Sequence, residues 1–270
     1  MKKKTIMNIL MVICLLVAVG CGGYLAYYYH TSSQTEKAFD DLRDMIAETT
    51  EDNVVESENG DKEIMPEMVT VKGVSVQKKF EKLYSQNNDF VGWLTIKDTL
   101  VDYPVMHTPN DSENGEFYIH RDYDMNYSAA GLPFIDKNCI IENPTDNIII
   151  YGHNMNSGTM FHDIIKYESQ EFYEGHKTFS FDTIYGDGTY EVVAAFYGQV
   201  FSEDSDEFKY YEFVNAGNEE EFMDFVNQVK GMSVIDTDVD VEYGDKLLTL
   251  STCAYHVEDG RFAVIAKKIN

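Results

Sequence analysis

"TLSTCAYHVEDGRFAV", residues 249–264, ends an apolar, β-rich run on Cys253, passes through the short loop that contains "EDG", and opens a second β-rich run on Arg261. Two such runs joined by a turn read as neighbouring strands, and their pairing brings Cys253 and Arg261 to the same end of one sheet. A free thiol has a pKa near about 8.5, so a nucleophilic cysteine needs a histidine or another cation beside it. Arg261 offers a guanidinium that favours the thiolate and can stabilise an oxyanion. The competing reading, a small hydrophobe that closes a strand, is the ordinary fate of a cysteine in this setting.

A histidine decides between the two, and His153 is the candidate. It follows the β-rich "NIIIY" across Gly152 and enters the polar loop "HNMNSGT", so it stands at a strand end as Cys253 does. His30 abuts an apolar amino-terminal run, and His107, His120, His162 and His176 have no comparable placement. His256, inside the loop between Cys253 and Arg261, is the second choice. Cys139, in "FIDKNCIIEN", reads as a short hydrophobic side chain beside a strand, with pairing to Cys253 as the alternative.

From residue 90 onward the texture is one of short β-rich runs: "FVGWLTI", "VDYPV", "FYIH", "GLPFID", "NIIIY", "YEVVAAFYGQV", "KLLTLST" and "FAVIAKKI". Turn residues separate them, as in an all-β barrel or sandwich. A late helix interrupts the series in "NEEEFMDFVNQVKGMS". Asn218 caps it, Glu221 stands three residues on, Phe222, Phe225, Val226 and Val229 form one face, and Gly231 ends it. A shorter amphipathic helix is expected upstream, with Val76, Phe80, Leu83 and Tyr84 at helical spacing.

At the amino terminus, Lys2, Lys3 and Lys4 precede a nearly uncharged stretch from Thr5 to Tyr29, long enough to cross the roughly 30 Å apolar core of a bilayer. The basic flank places the start of the chain in the cytoplasm and the bulk outside, with Tyr24, Tyr27, Tyr28 and Tyr29 as an outer aromatic belt. A cleaved signal peptide competes with this anchor; the length of the run and the lack of a small-x-small cleavage site favour the anchor. "AVGC" at 18–21 faintly matches a lipoprotein site but lacks the usual preceding leucine. The expected organisation is residues 1–30 as cytoplasmic tip and transmembrane anchor, 31–74 as juxtamembrane helix and acidic linker, and 75–270 as the one main domain. Phe39, Leu42, Met45 and Ile46 mark the face of the juxtamembrane helix. The chain of 270 residues carries a net charge of -26, which argues against nucleic acid, because phosphate binding needs a basic footprint. The acidic run at 202–207 reads as a solvated loop; no metal ligands recur at useful spacing, and no cofactor is expected.

"TLSTC" with "GR" downstream and "IIIYGHNMNSGTMF" upstream resembles the sortase family, the membrane-anchored cysteine transpeptidases of Gram-positive bacteria. The similarity runs over residues 75–270. "WLTI", "VDYPV", "GLPFID" and the helix placed before the cysteine strand are similar to class B sortases in particular.

The resemblance implies a mainly β fold: an eight-stranded barrel with amino-terminal helices and a helix inserted before the cysteine-bearing strand. It implies a cysteine-type peptidase that cleaves a carboxyl-terminal sorting signal of a secreted protein after threonine. A thioacyl enzyme would then pass the protein to an amine of a peptidoglycan precursor. By position Cys253 matches the nucleophile, His153 the general acid and base, and Arg261 the oxyanion-stabilising residue. The backbone N–H of Ala254 matches a second oxyanion donor, Ser251 a substrate contact, and Asn114, in "ENGEFYI", another. Substrate choice is expected to sit in the loops at 106–130 and 200–216. A hydrolytic cysteine peptidase on the same site, a pilin-polymerising enzyme and a non-catalytic binding module that kept the barrel remain open as alternatives.

Overall fold

The computed structural model describes residues 2–51 and 66–270, which fall in two units, Met1–Val54 and Val55–Asn270. In the first, α1 (Lys2–Glu51) is one continuous helix that takes in both the expected span and the expected juxtamembrane helix. Its segment Ile6–Gly23 is long and apolar enough to cross a membrane, and its side chains are exposed. The side chains of Tyr24, Tyr27, Tyr28, Tyr29 and His30, and most of the acidic linker (52–65), lie outside the described residues.

The second unit opens on a hairpin, β1 (Met68–Val71) and β2 (Val74–Gln77). Lys72 and Gly73 both take positive φ, 49° and 88°, the turn geometry whose twist matches paired strands. Val76 therefore belongs to a strand and not to the expected amphipathic helix. Only Phe80, in a 3-10 turn, and Leu83 and Tyr84, in α2 (Glu81–Gln86), follow that expectation. The β-branched alternation of "VSVQ" outweighs the helical spacing.

The remaining strands are β3 (Phe90–Thr95), β4 (Asp102–Met106), β5 (Phe134–Ile135), β6 (Asn147–Tyr151), β7 (Thr178–Thr183), β8 (Thr189–Gln199), β9 (Leu247–Cys253) and β10 (Gly260–Lys268). They close into an eight-stranded barrel in the order β10-β8-β7-β3-β4-β5-β6-β9. Pairings β4–β5 and β6–β9 are parallel and the rest antiparallel. Two runs depart from expectation. "FYIH" is a 3-10 turn, because a four-residue apolar run carries no decisive period and the Asp111 carboxylate takes the N–H groups of Gly115 and Phe117, curling the chain. "TFSFDT" is the strand that completes the barrel, burying Phe179 and Phe181 on alternate positions.

Between β6 and β7 the chain forms a 3-10 segment, Phe161–Glu168, and α3 (Gln170–Gly175). Between β8 and β9 lies α4 (Glu219–Met232), the expected insertion. Its Asn218 cap accepts the Glu221 N–H at 3.0 Å, and the Glu221 carboxylate accepts the Gly217 N–H at 2.7 Å. Gly231 lies inside the last turn and does not end the helix. Phe222, Phe225, Val226 and Val229 pack on Phe196, Tyr210, Ala263 and Ile265, each worth about 2 kcal/mol of apolar burial. That packing seats α4 behind the strands that carry the candidate site.

Candidate active site

The register of the last two strands sets Arg261 opposite Cys253. The next turn-ward bond, Ala254 N–H to Gly260 O at 3.0 Å, makes this a non-hydrogen-bonded cross-strand pair, in which the two Cα atoms stand about 4.5 Å apart and the side chains are closest. Gly260 closes the turn where a Cβ would lie 2.2 Å from the Ala254 carbonyl, so no larger residue fits. Gly260 O also accepts from Arg261 Nη1 at 3.0 Å, and Asp259 O accepts from the same nitrogen at 3.3 Å. Among the described residues Arg261 makes no ion pair. Its charge is held by backbone carbonyls and left free for an anionic partner.

On its other edge β9 runs parallel to β6, with Tyr151 beside Ser251. His153 therefore leaves β6 level with Cys253. Gly152 permits the exit, since a Cβ there would meet the Phe161 ring at 2.6 Å. Cys253, His153, Arg261, Ser251 and Asn114 all line one cavity of about 290 Å³. The two loops expected to govern specificity border it through Glu116 and Ile119 on one side and Val200, Tyr210 and Tyr211 on the other.

His153 is half-buried, and its Nε2 lies 2.9 Å from Ile119 O. A carbonyl only accepts, so Nε2 carries hydrogen and, in the neutral ring, Nδ1 is the basic nitrogen. Burial holds this imidazole below the usual histidine range; the bond to Ile119 opposes that, and the neighbouring His120 adds to it. The Ile119 carbonyl is itself placed by a tied loop. Asp111 accepts N–H bonds from Glu113, Gly115 and Phe117 and the hydroxyl of Thr108.

Cys253 is half-buried and unpaired in any disulfide, as is the buried Cys139. Burial pushes the Cys139 thiol up to about 12, which leaves it protonated and inert. His256 is exposed, in the loop between β9 and β10, and rests against Tyr197. Ala254 is buried and its N–H is engaged with Gly260 O. Asn114, with φ 62°, bonds Lys137 through its side-chain oxygen. Ser251 is buried and shares a 2.7 Å bond with the Tyr210 hydroxyl.

Several residues around the centre escaped the sequence reading. His120, set aside for lack of a strand-end position, stacks on His153 with ring centroids 5.3 Å apart. Tyr210 forms the buried floor with Ser251, and burial pushes its phenol up to about 12. Asn154 donates to Cys253 O at 3.0 Å, and Thr252 donates through its hydroxyl to Gly152 O at 2.7 Å, tying the two strand ends together. Asn154 and Thr252 had a signal in sequence, the one directly after His153 in a polar loop and the other directly before Cys253 in "TLSTC".

No protein-family model matches the chain. It is 33% identical over 196 residues to sortase B of Staphylococcus aureus, covering 72% of this chain and 76% of that protein. It is 35% identical over 198 residues to sortase B of Listeria monocytogenes, covering 72% and 75%. The structure of a Staphylococcus aureus sortase B–substrate complex superposes with a TM-score of 0.69 at 28% identity, covering 88% of this chain and 95% of that one. Sequence relatives and barrel agree: the chain belongs to the sortase B family.

Proposed function

We propose that this protein is a membrane-anchored transpeptidase that joins secreted proteins to the cell wall through a thioacyl intermediate on Cys253. The observation that carries this is the cross-strand pairing of Cys253 with an Arg261 that makes no ion pair among the described residues, with His153 on the wall of the same cavity. Cys253 Sγ attacks the carbonyl carbon of the sorting-signal threonine while His153 Nδ1 takes the thiol proton. The carbonyl electrons move to oxygen, and Arg261 stabilises that charge. When the oxyanion collapses, the C–N bond breaks and His153 returns its proton to the leaving amine.

An amine then attacks the thioester, His153 takes its proton, and Cys253 leaves. The acceptor is an amine of a peptidoglycan precursor; a pilin lysine or water would make the same active site a pilin polymerase or a peptidase. Ser251 and Asn114 line the sorting-signal groove. Ala254 N–H can join the oxyanion site only by exchanging its bond to Gly260 O for one to the substrate. The apolar helix Ile6–Gly23 suits a single membrane span with the amino terminus in the cytoplasm and the catalytic unit outside. The proposed limit of the anchor, residue 30, falls within α1, and the proposed end of the linker, residue 74, falls in the β1–β2 hairpin.

The test is product mass from the full chain in detergent with a sorting-signal peptide library, with and without an oligoglycine amine. The proposal expects an amine adduct of the peptide ending at threonine. Free carboxylate alone, in the presence of amine, would make the enzyme a peptidase. No cleavage with any peptide, or full activity in Cys253→Ala, would remove the proposal.

A further inference from the structure

The parallel ladder between β6 and β9 stops at Tyr151 and Ser251, continued by Gly152 N–H on Ser251 O at 3.1 Å. In a parallel ladder the next bond is from Cys253 N–H to Gly152 O, and the one after it runs from the N–H of residue 154 to the carbonyl of Cys253. The chain has already left the sheet there, so that His153 can turn to the cavity, and it pairs instead with the segment at Met160, where Phe161 N–H bonds His153 O at 2.9 Å. The missing donor is replaced by the side chain of the same residue: Asn154 Nδ2 lies 3.0 Å from Cys253 O. Because that carbonyl only accepts, the amide orientation is fixed, and Asn154 Oδ1 is left to accept from His162 Nδ1 at 2.9 Å. His162 sits on the 3-10 segment Phe161–Glu168, so the line from that segment through Asn154 ends on the nucleophile's own peptide. On its far side the same peptide is held by Ala254 N–H on Gly260 O.

We infer that Asn154, oriented by His162, is the positioning residue of the nucleophile: its side-chain amide substitutes for the lost ladder bond and holds the Cys253 end of β9 while His153 leaves β6. A thiol on a strand end lacking that bond would sample placements away from His153, and misplacement of a reacting group by about 1 Å can cost on the order of 100-fold in rate. The inference rests on Cys253 as the nucleophile.

The test uses the full chain in detergent with three variants. Asn154→Ala removes both bonds. Asn154→Asp keeps the acceptor for His162 but sets an oxygen against the Cys253 carbonyl. His162→Ala frees the amide. The inference predicts that Asn154→Ala and Asn154→Asp each lower kcat about tenfold, of the order expected for one lost hydrogen bond at a reacting group, with KM within about twofold. His162→Ala has a smaller effect of the same kind. Cys253 alkylation by iodoacetamide slows in parallel, and the melting temperature of Asn154→Asp stays close to that of the parent. Unchanged kcat and alkylation in Asn154→Asp overturn the inference. So does a loss that merely tracks the unfolded fraction. The alkylation arm needs no sorting peptide, so an absence of transferase activity in the parent would sink the functional reading alone, while alkylation still judges Asn154.

Discussion

The imidazole of His120 lies stacked on that of His153, 5.3 Å between centroids and 18° between planes. His120 is exposed and His153 half-buried, and a positive charge on the outer ring disfavours one on the inner. With its pKa lowered, first by burial and then by His120, His153 sheds its proton below the ordinary histidine value of about 6.5. The acid limb of kcat/KM therefore lies below that pH. His120→Gln should move the limb upward, toward the ordinary value, without abolishing transfer. A pH–rate series on both proteins checks this; a limb that stays in place or moves down contradicts it.

Arg261 should matter through geometry as well as charge. Its Nη1 is pinned to Gly260 O and Asp259 O, which aims the planar fork beside Cys253. Arg261→Ala is expected to lower the single-turnover acylation rate by about 100-fold or more, the usual loss for an oxyanion donor, and Arg261→Lys to recover only part of it. Little change in melting temperature should accompany either.

Tyr210 and Ser251 are both about 1% exposed, and their hydroxyls bond each other. Tyr210→Phe leaves the Ser251 hydroxyl buried without its partner, at a cost of about 1–3 kcal/mol in denaturant unfolding. Adding Ser251→Ala to Tyr210→Phe should cost less than the sum of the two single changes, because the orphaned group is gone.

The inserted helix α4 is held by its aromatic face. Phe225 is 3% exposed and stacks on Phe213 at 3.9 Å. Phe225→Ala is expected to lower stability by about 3–5 kcal/mol and, because Tyr210 shares that cluster, to raise KM for the sorting peptide.

The centre of the site was legible in sequence because its residues stand at strand ends. Apolar runs before Cys253 and His153 announce their strands, and the turn at Gly260 returns Arg261 to the thiol. The eight-stranded count came from resemblance, since "FYIH" imitated a strand and "TFSFDT", a strand by its alternation, was passed over. His120 and Tyr210 were not legible. Their roles depend on loops tied by Asp111 and on packing beneath α4, contacts across long stretches of chain that no local period records. Asn154 was visible only as a polar neighbour of His153; its bond to Cys253 O spans 99 residues of sequence.

The most direct measurement is the intact mass of the full chain after brief exposure to a library of sorting-signal peptides without an amine, followed by mapping of the modified residue. The account predicts an adduct equal to the peptide portion ending at threonine, borne by Cys253 as a hydroxylamine-sensitive thioester and absent in Cys253→Ala. An unmodified Cys253 with every peptide, or an adduct on any other residue, would contradict it.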